Sequence, residues 1–479
     1  MSVTPPDEAL TRSPSAIRAG AARGAVAAPP MLLPLALAQF VCSFAGSNMN
    51  VAIGSISADL GTTVHGVQTA ITLFLLCMAA LMIVGSKLTD LRGRRACFIA
   101  GLVIYGAGTV IAAAAPGLGL LIVGYSLFEG VGSALLIPPI YILATLYYAD
   151  TASRARAFGL ISGMGGVGAA AGPLVGGLIT SAVSWRASFV LQTAIVAVII
   201  VFARRLRDPV PADPDRPFDT VGAVLSAAGM ALLVIGILQA SVDTLLMALL
   251  IAAGLIVLAA FMLHARRRER AGREPLLSPS LLRNRTSNLA LVTQNVQWLI
   301  LLGGSFVVSV FLQEVRGLSA IQTGLVFTAA TAGILISSLA AERLARRHAQ
   351  RTLIRAGFVG TLVGIGLLIG LYRLAQSAWI LAPGLFTMGL GIGVMLTPSV
   401  NVVQSAFPEE RQGEISGLSR SVSNLGSSLG TAIAGTILVS DLVSGNRSYA
   451  LAMIALAAIG LIGLVAAMLL PAQPGGRSA

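Results

Sequence analysis

The stretch "GSKLTDLRGRR", residues 85–95, separates two long apolar segments of the chain. The segment before it, 67–86, carries no charge, and the one after it reads "FIAGLVIYGAGTVIAAAA" over residues 98–115. Each is close to the ~20 residues that a helix needs to cross the hydrocarbon core of a bilayer. The stretch therefore predicts a tight, charged turn between two transmembrane helices.

The rest of the chain repeats this pattern. Of its 479 residues, 56% are hydrophobic and only 11% are charged, whereas a soluble domain has about 25% charged residues. Apolar runs of about 20 residues predict an all-α polytopic membrane protein with fourteen transmembrane helices. The predicted spans are 31–54, 67–87, 97–115, 119–146, 157–180, 187–203, 220–241, 245–264, 287–313, 320–341, 353–372, 378–403, 413–440 and 450–470.

The positions of lysine and arginine predict the orientation in the membrane. If the N-terminus is cytoplasmic, 27 of the 32 basic residues lie in cytoplasmic segments, as the positive-inside rule requires. Both termini are then cytoplasmic, and the chain is a multi-pass protein of the inner or plasma membrane. The net charge of +13 reflects this topology, so we expect membrane lipid and a small molecule as partners, and no nucleic acid. We expect a monomer.

Internal similarity predicts two halves with an insertion. "GLISGMGGVGAAAGPLVGG" (159–177) aligns with "GLSRSVSNLGSSLGTAIAG" (417–435), and the 85–95 loop has a weaker echo at 341–351. The two echoes have nearly the same offset, which is typical of a duplication. The predicted domains are a disordered cytoplasmic tail (1–30), a six-helix bundle (31–204), two inserted helices with cytoplasmic flanking loops (205–285), a second six-helix bundle (286–471) and a cytoplasmic tail (472–479).

Two charges fall well inside predicted spans, away from the span ends. Glu129, in "YSLFEGVGSALLIPP" (125–139), is the only charge between residues 116 and 148 and lies about 18 Å from the outer end, near mid-bilayer. A buried carboxylate must be protonated, paired or in contact with water, so Glu129 is either a proton or substrate group or a structural hydrogen-bonding group. Arg420 lies one to two turns inside the thirteenth span. It either serves substrate or coupling, or extends to the cytoplasmic interface.

Uncharged polar and aromatic side chains inside the spans are candidates for a transport cavity. We expect Tyr125, Ser126 and Ser133 to share the helix face of Glu129. The three cysteines and three histidines form no cluster or ligand spacing, so we expect no metal, no cofactor and no enzymatic activity. The cavity candidates are Asn48, Ser126, Ser133, Gln192, Gln294, Gln297, Trp298 and Asn424.

Two glycine-rich motifs have structural and functional interpretations. In the 85–95 loop, glycines permit a tight turn, and Asp90 can accept hydrogen bonds at the start of the third helix or pair with arginines. In "GVGAAAGPLVGG" (166–177), small residues let helices pack closely, and Pro173 favours a bend. The residues concerned are Gly85, Asp90, Arg92, Gly93, Arg94 and Arg95 in the loop, and Gly168, Gly172, Pro173, Gly176 and Gly177 in the helix.

The loop spacing G-x-x-x-x-D-x-x-G-R-R resembles the signature loop of the major facilitator superfamily. The form G-x-x-x-G-P-x-x-G-G resembles the antiporter motif of its drug exporters, and "SWRASF" (184–189) is similar to its fourteen-span drug/proton antiporter branch. This resemblance implies a secondary active transporter that exports drugs against protons, with a charge network at the loop that latches the two halves on the cytoplasmic side.

The chain departs from that branch at two positions linked to proton coupling. Ala45 stands at the usual first-span Asp and Ser126 at the usual fourth-span Arg, while Glu129 replaces a Gln. We therefore expect proton-coupled efflux of amphipathic or cationic small molecules by alternating access, with Glu129 as the proton group. The alternative is a narrow-substrate metabolite exporter or an uncoupled facilitator of the same fold.

Overall fold

A computed structural model describes residues 29–148, 151–208, 217–239, 243–345, 347–372, 377–408, 411–439 and 447–471. The predicted tails lie outside the described residues, apart from residues 29 and 30, which begin the first helix.

Long helices account for most of the described chain, and each predicted span coincides with one of them. Within these residues no strand is present. The helices are α1 (Pro29–Val51), α2 (Val64–Arg92), α3 (Arg94–Ala113), α4 (Leu118–Tyr147), α5 (Thr151–Ala182), α6 (Trp185–Ala203), α7 (Thr220–Leu238), α8 (Thr244–Arg270), α9 (Arg285–Val315), α10 (Ala320–Ala345), α11 (Gln350–Leu371), α12 (Ala378–Gln404), α13 (Gln412–Val439) and α14 (Arg447–Leu469).

Thirteen of these helices are long and apolar enough to cross a membrane, and α13 is the exception. With 28 residues α13 has the length to span, but it contains six serines as well as Arg420 and Asn424. Most of its serine side chains are buried against other helices. The polar composition of α13 therefore reflects a helix that faces protein rather than lipid, and the predicted fourteen-helix fold is confirmed.

Helix α4 is irregular in a way that its sequence does not reveal. It begins with a short α-helical turn, continues as a π-helix over Ile122–Glu129 and returns to α-helix from Gly130. Pro138 and Pro139 lie inside its second part, where neither can donate a backbone hydrogen bond. Isolated π-helical turns occur frequently at functional sites.

The helices pack as two groups, α1–α6 and α9–α14, with α7 and α8 beside them. Contacts between the first group and the second run mainly along α2 with α13 and along α5 with α10. Helix α7 packs on α8 and also on α2 and α13. Large apolar side chains of α8, such as Leu245 and Ile256, are 69% exposed. In a bilayer this surface of α8 would contact lipid.

One end of the bundle holds most of the described basic residues, and we call it the basic end. It contains the 85–95 loop together with residues 204–208 and 266–285. Contacts bring these segments together: the Arg95 side chain donates to the Arg204 carbonyl (3.3 Å), for example. The opposite end is called the far end below. There Gln313 accepts from the Gly54 amide (2.9 Å), which links α9 to the residues after α1.

Candidate transport site

Glu129 lies in a closed compartment inside the first helix group. Its side chain is completely buried at the end of the π-helical segment of α4. Its neighbours are Tyr105 of α3, Cys42 of α1 and Tyr125 of α4, which are also buried. Neither carboxyl oxygen makes a hydrogen bond of regular geometry with a described residue, and the Tyr105 hydroxyl is the polar group nearby. The carboxyl group is thus enclosed by side chains that carry no positive charge.

Tyr105 connects this compartment to α6 and α1. Its hydroxyl donates to Gln192 Oε1 (2.6 Å) and lies 3.3 Å from the Val41 carbonyl oxygen. The structure therefore places the predicted cavity residue Gln192 beside Glu129, through a tyrosine that sequence reasoning missed. An uncharged tyrosine in an apolar span gives no signal that separates it from an ordinary core residue.

Tyr125 occupies the neighbourhood of Ala45, the position of the aspartate expected from the resemblance. Its hydroxyl lies 3.3 Å from the Ala45 carbonyl oxygen, and its ring stacks on Phe74 with centroids 4.6 Å apart. The ring of Phe189 contacts it edge-on. An aromatic cluster thus lines the side of the compartment next to the substituted position.

The polar face expected around Glu129 is divided in the structure. The Ser126 hydroxyl donates to the Ala70 carbonyl (2.7 Å) and so contacts α2, whereas Tyr125 contacts α1. Ser133 is buried next to Cys42. Tyr125 and Ser133 therefore lie on the side of Glu129, as the spacing predicts, and Ser126 does not, because Ile122–Glu129 is π-helical and has more residues per turn.

Arg420 of α13 contacts the first helix group directly. Its guanidinium donates to the Tyr141 hydroxyl (2.6 Å) and lies over the Tyr141 ring, 4.8 Å from the centroid. The Tyr141 hydroxyl donates in turn to Gln39 Oε1 (3.4 Å), and Gln39 Nε2 donates to Ser43 (3.2 Å). Tyr141 lies about 18 Å along α4 from Glu129, so the structure does not bring the two predicted charged groups together.

The remaining cavity candidates are distributed over both helix groups. Gln294 accepts from Ser419 (2.9 Å), which joins α9 to α13. Gln297 is buried, and among the described residues neither its oxygen nor its nitrogen has a hydrogen-bond partner. Trp298 and Asn424 are half-buried. Asn48 is buried on α1, where its side chain contacts the backbone of Gly176.

The small-residue motif of α5 holds three helices together. Gly168 and Gly172 lie against α1, where an added Cβ would collide with the Phe40 carbonyl or with Ser47. Near the far end, Gly177 meets the backbone of Ala320 at the start of α10. The motif therefore joins α1 within the first group to α10 of the second group, at a spacing that only glycine permits.

The acid of the 85–95 loop pairs with an arginine at the start of α3. Asp90 forms an ion pair with Arg94 (3.2 Å), as one prediction had it. A second acid, Asp208, caps the start of α3: it accepts from the Arg94 amide (2.6 Å) and lies 3.4 Å from the Arg95 amide. Gly93 has a φ of +89°, which glycine adopts without strain. The capping acid comes from beyond α6, and no local spacing could have identified it.

Asp219, just before α7, is a second buried acid, and it is fully paired. It accepts from the amides of Gly222 (2.9 Å) and Leu276 (3.0 Å), and it lies 2.8 Å from His264 Nε2 and 3.6 Å from Arg268 Nε. Burial favours the neutral form, but these hydrogen bonds and Arg268 outweigh it and hold the pKa of Asp219 below its ordinary value. This carboxylate fixes the basic ends of α7 and α8 to the segment that leads to α9.

Hydroxyl and amide side chains link α13 to α2 across the two groups. Ser421 donates to the Ala79 carbonyl, Ser428 donates to the Thr72 carbonyl (3.0 Å), and Gln68 donates to the Thr431 carbonyl (3.2 Å). These contacts lie in the middle part of α13, between residues 421 and 431. They explain why α13 is more polar than the other helices.

The sequence profile of the Major Facilitator Superfamily matches residues 35–431, and again residues 290–479. The chain belongs to the major facilitator superfamily. This membership agrees with the two-group packing of its helices and confirms the resemblance that its loop and small-residue motifs indicate.

Within the superfamily, curated relatives resemble the chain over most of their length. The multidrug efflux pump LfrA of Mycolicibacterium smegmatis is 30% identical over 433 residues, which cover 89% of this chain and 82% of the relative. The puromycin resistance protein pur8 of Streptomyces alboniger is 29% identical over 413 residues, which cover 85% of this chain and 81% of the relative. The multidrug resistance protein Stp of Mycobacterium tuberculosis is 26% identical over 413 residues, which cover 85% of this chain and 75% of the relative.

Solved structures of a peptide transporter share the fold. A crystal structure of peptide transporter POT in complex with sulfate superposes with a TM-score of 0.67 at 17% identity, covering 91% of this chain and 94% of that one. A mutant of the same transporter in complex with alafosfalin superposes with a TM-score of 0.66 at 18% identity, covering 91% of this chain and 93% of that one.

Proposed function

We propose that this chain is a secondary active transporter that exports amphipathic small molecules and uses proton entry to drive export. The single observation that carries proton coupling is Glu129, a fully buried carboxyl group whose neighbours among the described residues carry no positive charge. The export direction and the substrate type are supported by relatives named for drug resistance and efflux.

The environment of Glu129 supports its role as the proton-carrying group. Ionising a carboxyl group that is closed to water and has no positively charged neighbour among the described residues is strongly unfavourable. Glu129 therefore holds a proton while the compartment is closed and releases it when water enters. Tyr105 and Gln192 form the chain of hydrogen-bonding groups that lines this compartment.

Helix α4 is the element that transmits this change. Its π-helical segment ends at Glu129, and its proline pair lies between Glu129 and Tyr141. Both features weaken the regular backbone hydrogen bonding, so the part of α4 that carries Tyr141 can move relative to the part that carries Glu129. Tyr141 in turn contacts Arg420 of the second helix group.

Alternating access is the motion that the packing of the two groups supports. We propose that residues 31–204 and 286–471 form two six-helix bundles that rock about the α2–α13 and α5–α10 contacts, with 205–285 as an inserted pair. The basic end then faces the cytoplasm with both termini, following the positive-inside rule. The transporter works as a monomer without enzymatic activity, cofactor or metal.

A second candidate, an uncoupled facilitator, is favoured by one specific observation. Ala45 and Ser126 replace two groups linked to proton coupling, and Tyr125 contacts the Ala45 backbone. In that case Glu129 would be a structural group that stays protonated throughout. A facilitator of this kind would move its substrate only down the substrate gradient.

The experiment that tests the proposal measures substrate-driven proton movement. Everted vesicles from cells overexpressing the chain are energised, and ethidium, tetraphenylphosphonium, chloramphenicol or 8-anilino-1-naphthalenesulfonate is added while luminal pH is followed. We expect at least one probe to be concentrated in the lumen and to release protons, with both effects abolished by a protonophore. Transport that is unchanged by the protonophore would support the facilitator, and no movement of any probe would contradict the proposal.

A further inference from the structure

We infer that the molecule exported by this protein carries a negative charge, and that Arg420 binds it while Tyr141 holds the guanidinium in position. This inference rests on the proposed function and narrows its substrate class. Arg420 lies about 12 Å from the start of α13, at the contact between the two helix groups, and remains partly exposed.

Arg420 has unused capacity to bind an anion. A guanidinium has five N–H donors, and among the described residues Arg420 donates one hydrogen bond, to the Tyr141 hydroxyl. No carboxylate in the described chain lies within ion-pair distance of it. The fork of remaining donors matches a carboxylate, sulfonate or phosphate group, which arginine can bind through two parallel hydrogen bonds.

Tyr141 and Gln39 fix the direction of the guanidinium. The ring of Tyr141 supports one face of Arg420, and its hydroxyl proton is directed to Gln39, so that the hydroxyl oxygen accepts from Arg420. Gln39 is held by Ser43 on the same helix. An arginine that is already oriented loses less entropy when it binds a ligand than a mobile surface arginine does.

The charges near Arg420 favour an anion over a cation. Glu129 is enclosed within the first helix group, about 18 Å along α4 from Tyr141, the residue that contacts Arg420, so it offers no negative charge to a substrate at Arg420. Glu414, the acid nearest to Arg420 on α13, is engaged by the Ser278 amide (2.5 Å) and by Arg411 (3.4 Å). A cationic substrate at this place would meet an uncompensated positive charge.

The sign of the substrate determines how transport responds to membrane potential. Exchange of one entering proton for one leaving monovalent anion moves two charges across the membrane, whereas exchange for a monovalent cation moves none. The potential, negative inside, acts on each charge that crosses. An anion exporter of this design is therefore driven by the potential as well as by the pH gradient.

The test uses purified full-length protein in proteoliposomes and the matched probes 8-anilino-1-naphthalenesulfonate and carboxyfluorescein (anions), ethidium and tetraphenylphosphonium (cations) and chloramphenicol (neutral). We expect at least one anion to be transported. Its transport should be accompanied by an electric current whose sign shows net negative charge moving in the direction of the anion. In Arg420→Gln the KM for that anion should rise about tenfold or more, with Arg420→Lys intermediate and Tyr141→Phe raised severalfold. Arg285→Gln, which removes one exposed charge at the basic end, is the matched control.

Each outcome separates the inference from the proposed function. Transport of only cationic or neutral probes overturns the inference and leaves the exporter intact. The inference is also overturned if an anion is transported and its KM is unchanged in Arg420→Gln and Tyr141→Phe, because Arg420 would then only bridge the helix groups. Absence of transport for every probe contradicts the proposed function itself. If Arg420→Gln does not reach the membrane, Arg420→Lys and Tyr141→Phe decide the question.

Discussion

At the scale of single residues, Asp90 and Asp208 have different roles at the turn between α2 and α3. Asp90 pairs with the Arg94 side chain, while Asp208 accepts from the Arg94 backbone amide. Asp90→Asn removes the charge and keeps the shape, so we expect transport to fall about five- to hundredfold with little loss of protein in the membrane.

The control for this prediction is Asp208→Asn. Asparagine is as good a helix cap as aspartate, so the start of α3 should be preserved and transport should remain near wild type. Initial rates are compared at equal amounts of membrane protein. Near-normal transport by Asp90→Asn would mean that Asp90 only shapes the turn.

The sequence identifies Glu129 and Arg420 because a charge in an apolar span is rare. It does not identify Tyr105, Gln39 or Tyr141, because uncharged polar and aromatic residues occur in many spans for ordinary packing reasons. The sequence also does not predict that the Ser126 side chain points to α2. That direction depends on the π-helical segment of α4, which no residue pattern reveals. The charged groups were therefore predictable, and the tyrosines that connect them to other helices, Tyr105 and Tyr141, were not.

At the scale of helices, the contact between α5 and α10 depends on Gly177. A side chain there would collide with the Ala320 carbonyl. We expect Gly177→Val to destabilise the protein by about 1–3 kcal/mol and to abolish most transport, since overpacking forces the helices apart. The measurements are the Tm of the purified protein and the transport rate.

Gly163→Val on the same helix is the matched control, because nothing lies within 4 Å of an added Cβ at Gly163. It should change Tm much less than Gly177→Val does. Equal effects of the two substitutions would show that valine harms α5 through its backbone alone, and the proposed role of the close contact would be wrong.

The second prediction at this scale concerns Asp219, which ties α7 and α8 to Leu276. Asp219→Asn should lower the free energy of unfolding by about 1–3 kcal/mol near neutral pH, because an amide group cannot accept all these hydrogen bonds. Asp243→Asn, at the exposed cap of α8, should have little effect.

The pH dependence of this effect has a defined sign. The pKa of Asp219 is below its ordinary value in the folded protein, so its stabilising contribution is complete above the ordinary value and is lost as pH falls through the folded-state value. The Tm difference between wild type and Asp219→Asn should therefore shrink in acid. A difference that grows on acidification would contradict the pairing.

At the scale of the whole molecule, the basic residues predict which end faces the cytoplasm. A cysteine placed at position 270 should resist an impermeant thiol reagent added to intact cells, whereas one at position 243 should react. The two positions are the last residue of α8 and its N-terminal cap, so they test the span count and the orientation together. The reverse labelling pattern would overturn the orientation.

The sequence predicts the number and approximate bounds of the spans because water excludes long apolar runs whatever their neighbours are. It does not predict that α13 packs on α2, or that α7 packs beside both. Lipid and protein interior are similarly apolar, so the hydrophobic pattern of a membrane helix says little about which face meets protein. The serines of α13, including Ser421 and Ser428, are a sequence feature that does indicate a face in contact with protein.

The central claim for the whole transporter is that Glu129 carries the proton. Glu129→Gln reproduces the protonated form at nearly the same volume, so folding should be retained while proton exchange is lost. Glu129→Asp should keep part of the activity with a shifted pH optimum, and Glu314→Gln, at an exposed acid of the far end, is the control.

The most direct measurement is the substrate-induced pH change in proteoliposomes that hold equal amounts of wild-type protein or Glu129→Gln. We expect wild type and Glu314→Gln to move protons when a transported probe is added, and Glu129→Gln to move none. If Glu129→Gln moves protons as well as wild type does, Glu129 is a structural group, and the driving force comes from another acid or from the substrate gradient alone.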